Sequence, residues 1–246
     1  MKGIIDKIYN MDQTTGLFMG GYGMWGIFIF FTLISLLIQS QLKSRFERYS
    51  KIPTSNGMTG KDIAEKMLRD NGITTVKVMC VDGFLTDHYN PATRIINLSQ
   101  GVYYSNSIAA AAVAAHETGH ALQDAYGYVW LGLRSKMVPV VSFASRYVQW
   151  ILLAGMLMIE TFPNLLLIGI ILFATTTLFA FVTLPVEINA SKRALVWLGT
   201  TGITDYGTHD KAQDALKWAA YTYVVAALSS LATLLYYVSI FMGRRD

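Results

Sequence analysis

The clearest indication of a chemical function in this chain is a group of two histidines and a glutamate within five residues. Residues 116–120 read His-Glu-Thr-Gly-His, which is the H-E-x-x-H pattern, within a stretch from Ser107 to Ala125 that is rich in alanine and other helix formers. A helix places residues four apart on one face, with β-carbons about 6 Å apart, so His116 and His120 can bind one zinc ion. Glu117 then lies beside the metal, where it can act as a general base.

A catalytic zinc site needs a third protein ligand and leaves its fourth position to water. The chain has four histidines, and the two outside the motif are His88 and His209. Glu187 is the strongest candidate, because it lies where the third apolar segment ends, and an ionisable group at such a position generally has a partner. Two imidazoles and one carboxylate suit Zn²⁺, so zinc is the predicted cofactor.

The composition is that of a membrane protein. Of the 246 residues, 53% are hydrophobic and 15% are charged, which is too apolar for an ordinary soluble domain. Cys80 is the single cysteine, so no intramolecular disulfide can form. The net charge of +4 comes from basic residues near the apolar segments, which is typical of membrane proteins and requires no nucleic-acid partner.

Four apolar segments approach the roughly 20 residues that a helix needs to cross a bilayer core. They are Gly23 to Leu42, Val138 to Ile159, Leu165 to Val186 and Trp218 to Phe241. The predicted fold is therefore a mainly α integral membrane protein with four transmembrane helices. A small α+β insert on the cytoplasmic face is expected to carry the zinc helix.

This pattern divides the chain into five parts. Residues 1–42 form the N-terminal tail and first transmembrane helix, 43–137 the metallopeptidase insert, and 138–186 the second and third transmembrane helices. Residues 187–217 form a loop or helix with the third metal ligand, and 218–246 the fourth transmembrane helix and tail.

Basic residues predict the orientation in the membrane. Four crossings place residues 43–137 and 187–217 on one side, which carries most of the lysines and arginines near the membrane. These are Lys43, Arg45, Arg48, Lys51, Arg134, Lys136, Lys192, Arg193, Lys211 and Lys217, against Lys2, Lys7, Arg244 and Arg245 on the other side. An excess of positive charge marks the cytoplasmic side, so we expect a multi-pass plasma-membrane protein with its active site facing the cytoplasm.

The insert shows signals for one helix and three strands. Thr59 to Asp62 is typical of a capped helix start, and Asn71-Gly72 ends that helix. Thr75 to Val81 alternates as a strand does, and Phe84 to His88 and Arg94 to Leu98 flank a turn as the arms of a β-hairpin. A strand just before the zinc helix could bind an extended peptide along the sheet edge.

The sequence alone allows more than one role for several residues. The donors that could stabilise an oxyanion are His88, Tyr89, His209 and Arg193. His88 is expected to form hydrogen bonds in its hairpin, and His209 to be solvated in a polar loop. Asp124 could orient His120 or simply lie on a solvated helix face. The small size of Gly119 could admit a close neighbour or the backbone of a substrate.

Longer motifs resemble a known family. They are LTDHYNP at 85–91, IINLS at 95–99, VAAHETGHALQ at 113–123 and LPVEINASKRAL at 184–195. Together they resemble the YugP-type membrane zinc metallopeptidases of bacteria, over most of the chain. The pattern E-x-x-A-S from Glu187 is similar, more distantly, to the E-x-x-A-D of the HtpX and Ste24 membrane peptidases.

This resemblance implies His116, His120 and Glu187 as metal ligands and Glu117 as the base. Ser191 stands where the HtpX and Ste24 relatives carry aspartate, and Asn189 stands where the closer family is expected to have aspartate. Both departures concern groups that would support the ligands, and the ligands themselves are unchanged.

The predicted function is that of a zinc-dependent membrane endopeptidase acting on peptides or membrane-associated proteins. One alternative is a non-catalytic membrane scaffold or assembly partner with a structural zinc site, although Glu117 would then serve no purpose. A second is a metal transporter or sensor, for which Arg146, the clear charge within a crossing, is a poor cation host. A homo-oligomer or a membrane partner protein stays open.

Overall fold

The computed structural model describes residues 2–83 and 86–243, with side chains from residue 25 onward. Within these residues the chain forms seven helices and three short strands. In chain order they are α1 (Lys2–Tyr49), α2 (Gly60–Asp70), β1 (Lys77–Val81), β2 (His88–Asn90), β3 (Ile95–Ser99), α3 (Gln100–Tyr103), α4 (Ile108–Ala125), α5 (Val129–Leu157), α6 (Pro163–Thr200) and α7 (Tyr206–Gly243).

Four helices are long and apolar enough to cross a membrane, as the sequence predicts. They are Trp25–Tyr49 of α1, Val129–Leu157, Pro163–Thr200 and Tyr206–Gly243. Both α6 and α7 have 38 residues, about 57 Å of helix at 1.5 Å per residue, which exceeds the hydrocarbon core of about 30 Å. Glu187 therefore lies inside α6, which continues well past the predicted end of the third crossing.

The chain divides into two compact units, and the long helices contribute to both. Unit 1 comprises Met1–Leu36, Pro139–Ala180 and Val225–Asp246. Its core contains Val148, Leu152, Leu166 and Ile170. A β-carbon at Gly155 would lie 2.6 Å from Leu166 Cα, so α5 and α6 approach each other closely because this residue has no side chain.

Unit 2 comprises Leu37–Val138 and Phe181–Val224, and it contains the sheet and the H-E-x-x-H helix. The strand order is β1-β3-β2, with β1 parallel and β2 antiparallel to β3. Helix α2 packs against α4, and residues of α2, β3, α3 and α4 form one buried apolar cluster. This core holds the motif helix against the sheet.

The predicted hairpin and its second arm are confirmed, but the first arm is displaced: β2 begins at His88, where the predicted arm ends, and extends to Asn90. His88 pairs with Asn97 and Asn90 with Ile95, whereas the predicted arm began at Phe84; Phe84 and Leu85 lie outside the described residues. The chain just before β2 is held by a side chain, since Asp87 accepts hydrogen bonds from the backbone N–H and hydroxyl of Ser99. These bonds replace ladder pairing at that position.

The predicted start of α2 is confirmed at Thr59. The Thr59 hydroxyl accepts from the backbone N–H of Asp62, and the Asp62 carboxylate accepts from the backbone N–H of Thr59. These two bonds form a capping box. Hydrogen bonds from Thr59 lower the pKa of Asp62 below its ordinary value.

Candidate metal centre

Helix α4 presents His116 and His120 side by side. The helix is capped by Ser107, whose hydroxyl accepts from the backbone N–H of Ala110 at 3.3 Å, and its first turns consist largely of buried alanines. The two imidazole rings are 4.8 Å apart between centroids and inclined by 84°. The spacing of four residues thus places both histidines on one face, as the sequence predicts.

Glu187 of α6 completes the cluster predicted from sequence. Its Oε2 lies 3.3 Å from Nε2 of His116 and 3.6 Å from Nε2 of His120. One ligand atom from each of the three residues lies within 4.8 Å of the others. The Glu187 side chain is 3% exposed, and its Oε2 has no hydrogen-bond partner among the described residues. A buried carboxylate oxygen without a partner, facing two imidazole nitrogens, fits a zinc ion.

Gly119 allows α4 and α6 to come this close. A β-carbon at this position would lie 2.7 Å from the backbone oxygen of Ala190, a distance that no side chain tolerates without movement of the backbone. The predicted reason for a glycine inside the motif, a close neighbour, is therefore confirmed, and the neighbour is the turn of α6 that follows Glu187.

The second oxygen of Glu187 contacts Arg134, a residue of α5. Nη1 of Arg134 donates to Oε1 of Glu187 at 3.3 Å. Tyr223 of α7 also interacts with Glu187. Sequence reasoning used Arg134 only as a charge near the membrane and did not single out Tyr223, since no local pattern links either residue to a glutamate so far away in the chain.

Neutral side chains hold the far nitrogens of both histidines. Nδ1 of His116 lies 3.0 Å from the Ser191 hydroxyl, and Nδ1 of His120 lies 3.0 Å from Oε1 of Gln123. The Gln123 amide donates to the backbone oxygen of Val186 at 2.8 Å. Ser191, which the sequence comparison placed where an aspartate would support the histidine, makes that contact with its hydroxyl, and Gln123 has the role considered for Asp124.

A second layer of bonds surrounds Gln123. Its amide also donates to Oδ1 of Asn189 at 3.0 Å, and that oxygen accepts from Nε of Arg193 at 2.8 Å. Burial disfavours the charged imidazole of His120, but the carboxylates of Glu187 and Glu117 raise its pKa above the ordinary value. A proton would therefore compete with a metal ion for this residue.

Glu117 is buried beside the histidine pair and is held by the sheet. The backbone N–H of Tyr89 in β2 donates to its Oε2 at 3.0 Å. The Tyr89 hydroxyl donates to Oδ2 of Asp124 at 2.8 Å. Burial, together with this bond to Asp124, raises the pKa of Tyr89, so the phenol remains a donor. The carboxylate predicted as the base is thus oriented by a strand that neighbours α4.

The two remaining histidines have structural contacts. His88 Nδ1 lies 2.8 Å from the Thr86 backbone oxygen and its Nε2 lies 3.1 Å from the Asn97 amide, which confirms the predicted role within the hairpin. The prediction of a solvated loop for His209 is wrong. This residue lies in the first turn of α7, half-buried, with its Nδ1 3.0 Å from the Thr204 hydroxyl. The helix begins before it, because the Asp205 carboxylate accepts from the backbone N–H of Thr208 and caps the first turn.

The two histidines of an H-E-x-x-H helix cluster with a buried glutamate from a second helix, and the described residues include four helices of membrane-spanning length. These features define the class of membrane zinc metallopeptidases. Comparison with known proteins agrees. Residues 24–242 match the family described as "Putative neutral zinc metallopeptidase", and the chain belongs to this family.

A similar curated protein is the "Putative membrane protease YugP" of Bacillus subtilis (strain 168). The two are 45% identical over 224 residues, which cover 89% of this chain and 99% of the relative. No solved structure matches the chain.

Proposed function

We propose that this protein is a zinc-dependent endopeptidase that hydrolyses peptide bonds in peptides or membrane-associated proteins. The observation that carries the proposal is the approach of the buried, unpartnered Glu187 Oε2 to the Nε2 atoms of His116 and His120. His116, His120 and Glu187 would hold the zinc ion, in the manner of H-E-x-x-H peptidases whose third ligand is a glutamate.

Each supporting side chain has a defined part in this site. Ser191 and Gln123 orient the two imidazoles through their Nδ1 atoms, and such contacts set the tautomer and ring direction of a ligating histidine. Arg134 occupies Oε1 of Glu187, which leaves Oε2 as the oxygen free to ligate. Bound zinc supplies a Lewis acid that polarises a water molecule and lowers its pKa.

Glu117 would act as the general base. It accepts a proton from the water as the water attacks the peptide carbonyl, and then donates that proton to the leaving amine. The hydrogen bond from the Tyr89 backbone keeps Oε2 of this carboxylate in a fixed direction. The other oxygen is then the one available for proton transfer.

The sheet offers a place for an extended substrate. Because the order is β1-β3-β2, no described strand pairs with the outer edge of β2, where the Tyr89 N–H already donates to Glu117. A peptide could pair with this edge, and its backbone would then run close to Glu117, which is bonded to Tyr89 of the same strand.

Orientation and organisation belong to the same proposal. The excess of basic residues in 43–137 and 187–217 supports an active site on the cytoplasmic side of the plasma membrane. The division into parts 1–42, 43–137, 138–186, 187–217 and 218–246 follows the same topology. Assembly as a homo-oligomer or with a membrane partner protein is compatible with it.

The number of ligands argues against the alternative of a scaffold with a structural zinc site. Structural zinc sites normally have four protein ligands, whereas the cluster found among the described residues has three. A three-ligand cluster leaves a position for water, and Glu117 lies beside it.

The proposal is tested with purified protein and its Glu117→Gln variant. Both are incubated with a broad peptide pool, cleavage is followed by mass spectrometry, and bound zinc is measured in parallel. We expect one zinc ion in each protein and cleavage by the wild type alone. Equal zinc content with no cleavage by either protein would favour the scaffold.

A further inference from the structure

A cavity of about 630 Å³ lies between the end of α6 and the start of α7. Its walls include Ile188 and Val196 of α6 and Leu216 of α7, and its polar groups include Lys192 and Lys217. This volume falls within the range of roughly 300–1,000 Å³ typical of ligand sites. The established family membership assigns no role to this space.

One residue, Ser191, belongs both to the cavity wall and to the support of the metal centre. This residue lines the cavity, and its hydroxyl also contacts Nδ1 of His116 at 3.0 Å. Glu187, Ser191 and Leu195 are four residues apart in α6, so they lie along one face of the helix. Two of these three residues, Ser191 and Leu195, line the cavity, one and two turns beyond Glu187.

Two large apolar residues of the cavity wall are exposed. Ile188 is 54% exposed and Val196 is 57% exposed. Both lie beyond the uncharged stretch of α6, which ends at Glu187, and near charged residues of α6 and α7. Their exposure is therefore not explained by contact with the hydrocarbon core of a bilayer, which excludes charged neighbours of this kind.

The charges of the cavity have one sign. Lys192 and Lys217 are exposed lining residues, and none of the described residues that line the cavity is a carboxylate. Within the described residues neither lysine forms an ion pair, although the Lys217 ammonium lies 5.7 Å from the centroid of the Tyr221 ring. Asp214, on the same helix, is already bound to Arg45 and Tyr49. The cavity therefore attracts negative charge.

We infer that this cavity binds a segment of the substrate polypeptide in which large apolar residues are flanked by acidic residues. The inference rests on the proposed peptidase function and names the class of substrate. Apolar side chains would pack on Ile188 and Val196, and carboxylates would pair with Lys192 and Lys217. Gln213 and His209 line the same space and offer hydrogen bonds to a peptide backbone.

Binding is measured without hydrolysis, on the zinc-loaded Glu117→Gln variant in phosphatidylcholine nanodiscs. The probe is a fluorescein-labelled Leu-Glu-Phe-Glu-Leu-Glu peptide, beside a matched peptide in which lysine replaces each glutamate. We expect tighter binding of the acidic peptide. Adding Lys192→Glu and Lys217→Glu should weaken it about tenfold and reverse the preference between the two peptides.

Two further variants separate charge from shape. Adding Lys51→Glu and Lys77→Glu makes the same change in net charge at exposed sites elsewhere in unit 2, and should leave binding unchanged. Val196→Trp adds bulk at an exposed position and should weaken both peptides. Zinc content of one ion per chain shows that each variant is folded.

Unchanged binding of both peptides by the Lys192→Glu/Lys217→Glu protein would overturn the inference. If that protein lost binding to phosphatidylglycerol vesicles but bound both peptides as before, the cavity would be assigned to an anionic lipid and the inference would also fail. Failure of the wild type to cleave any peptide would instead count against the proposed function. Cleavage of acidic and basic peptides at equal rates would count against the cavity alone.

Discussion

Arg134 and Glu187 lie on two different long helices, and their contact gives the two oxygens of one buried carboxylate different surroundings. Nη1 of Arg134 lies 3.3 Å from Oε1, whereas Oε2 faces His116 and His120 without another hydrogen-bond partner. The guanidinium thus directs the carboxylate toward the histidine pair. A neutral residue at position 134 would remove this restraint on the direction of the carboxylate.

Arg134→Gln should therefore weaken zinc binding. Contacts that orient a metal ligand typically change metal affinity by about 10–100-fold, and we expect a loss of this order. The measurement is competition with a chromogenic chelator. Lys136→Gln, an exposed residue two positions further along α5, is the matched control and should bind zinc as the wild type does. Equal affinities for all three proteins would show that Arg134 does not position Glu187.

Gly119→Ala should destabilise the protein and loosen the site. The new β-carbon would meet the Ala190 backbone oxygen at 2.7 Å, so α4 and α6 must separate. Overpacking of this kind typically costs about 1–3 kcal/mol. Thermal unfolding and zinc affinity are both measured. Gly101→Ala is the control, because a β-carbon there meets nothing within 4 Å. Similar unfolding midpoints for the two variants would contradict the close contact.

Gln123→Ala should lower zinc affinity by about 10–100-fold, because His120 Nδ1 loses its partner. The neighbouring Asp124→Ala variant loses only the bond from the Tyr89 hydroxyl, so it should keep the zinc affinity of the wild type. Circular dichroism checks that both variants are folded. A larger loss for Asp124→Ala than for Gln123→Ala would restore the interpretation in which the aspartate supports the histidine.

Thr59→Ala should destabilise the protein by about 1 kcal/mol at neutral pH, through loss of a helix cap. Its bonds lower the pKa of Asp62 in the folded state. The contribution of that carboxylate is therefore present above the unfolded pKa of about 3.9 and is lost as the pH falls through the lower, folded value. The difference in unfolding midpoint between wild type and variant should shrink in acid. A difference that grows in acid would contradict this assignment.

Local patterns were enough to predict the parts of the site that lie within one helix. The spacing of His116 and His120 and the capping box at Thr59 each depend on residues three or four positions apart, for which helix geometry alone decides the contact. Glu187 could be predicted as well, because the order of the apolar segments limits which carboxylates can lie on the same side of the membrane as the motif helix.

Contacts between distant helices could not be predicted in the same way. Arg134 and Glu187 are 53 positions apart, and nothing in the pattern of α5 indicates which way its arginine points. Gln123 was overlooked because an amide is a less conspicuous partner for histidine than the neighbouring Asp124. The environment of His209 depends on Gly199 of the preceding helix, and a polar local sequence does not reveal such a contact.

The central claim is that Glu187 completes a zinc site with His116 and His120. Its most direct test is the zinc content and affinity of purified Glu187→Ala beside Glu117→Gln, measured by mass spectrometry of the metal after dialysis. We predict one zinc ion per chain for the wild type and for Glu117→Gln, and loss of the ion from Glu187→Ala. Retention of one zinc ion by Glu187→Ala at wild-type affinity would contradict the account.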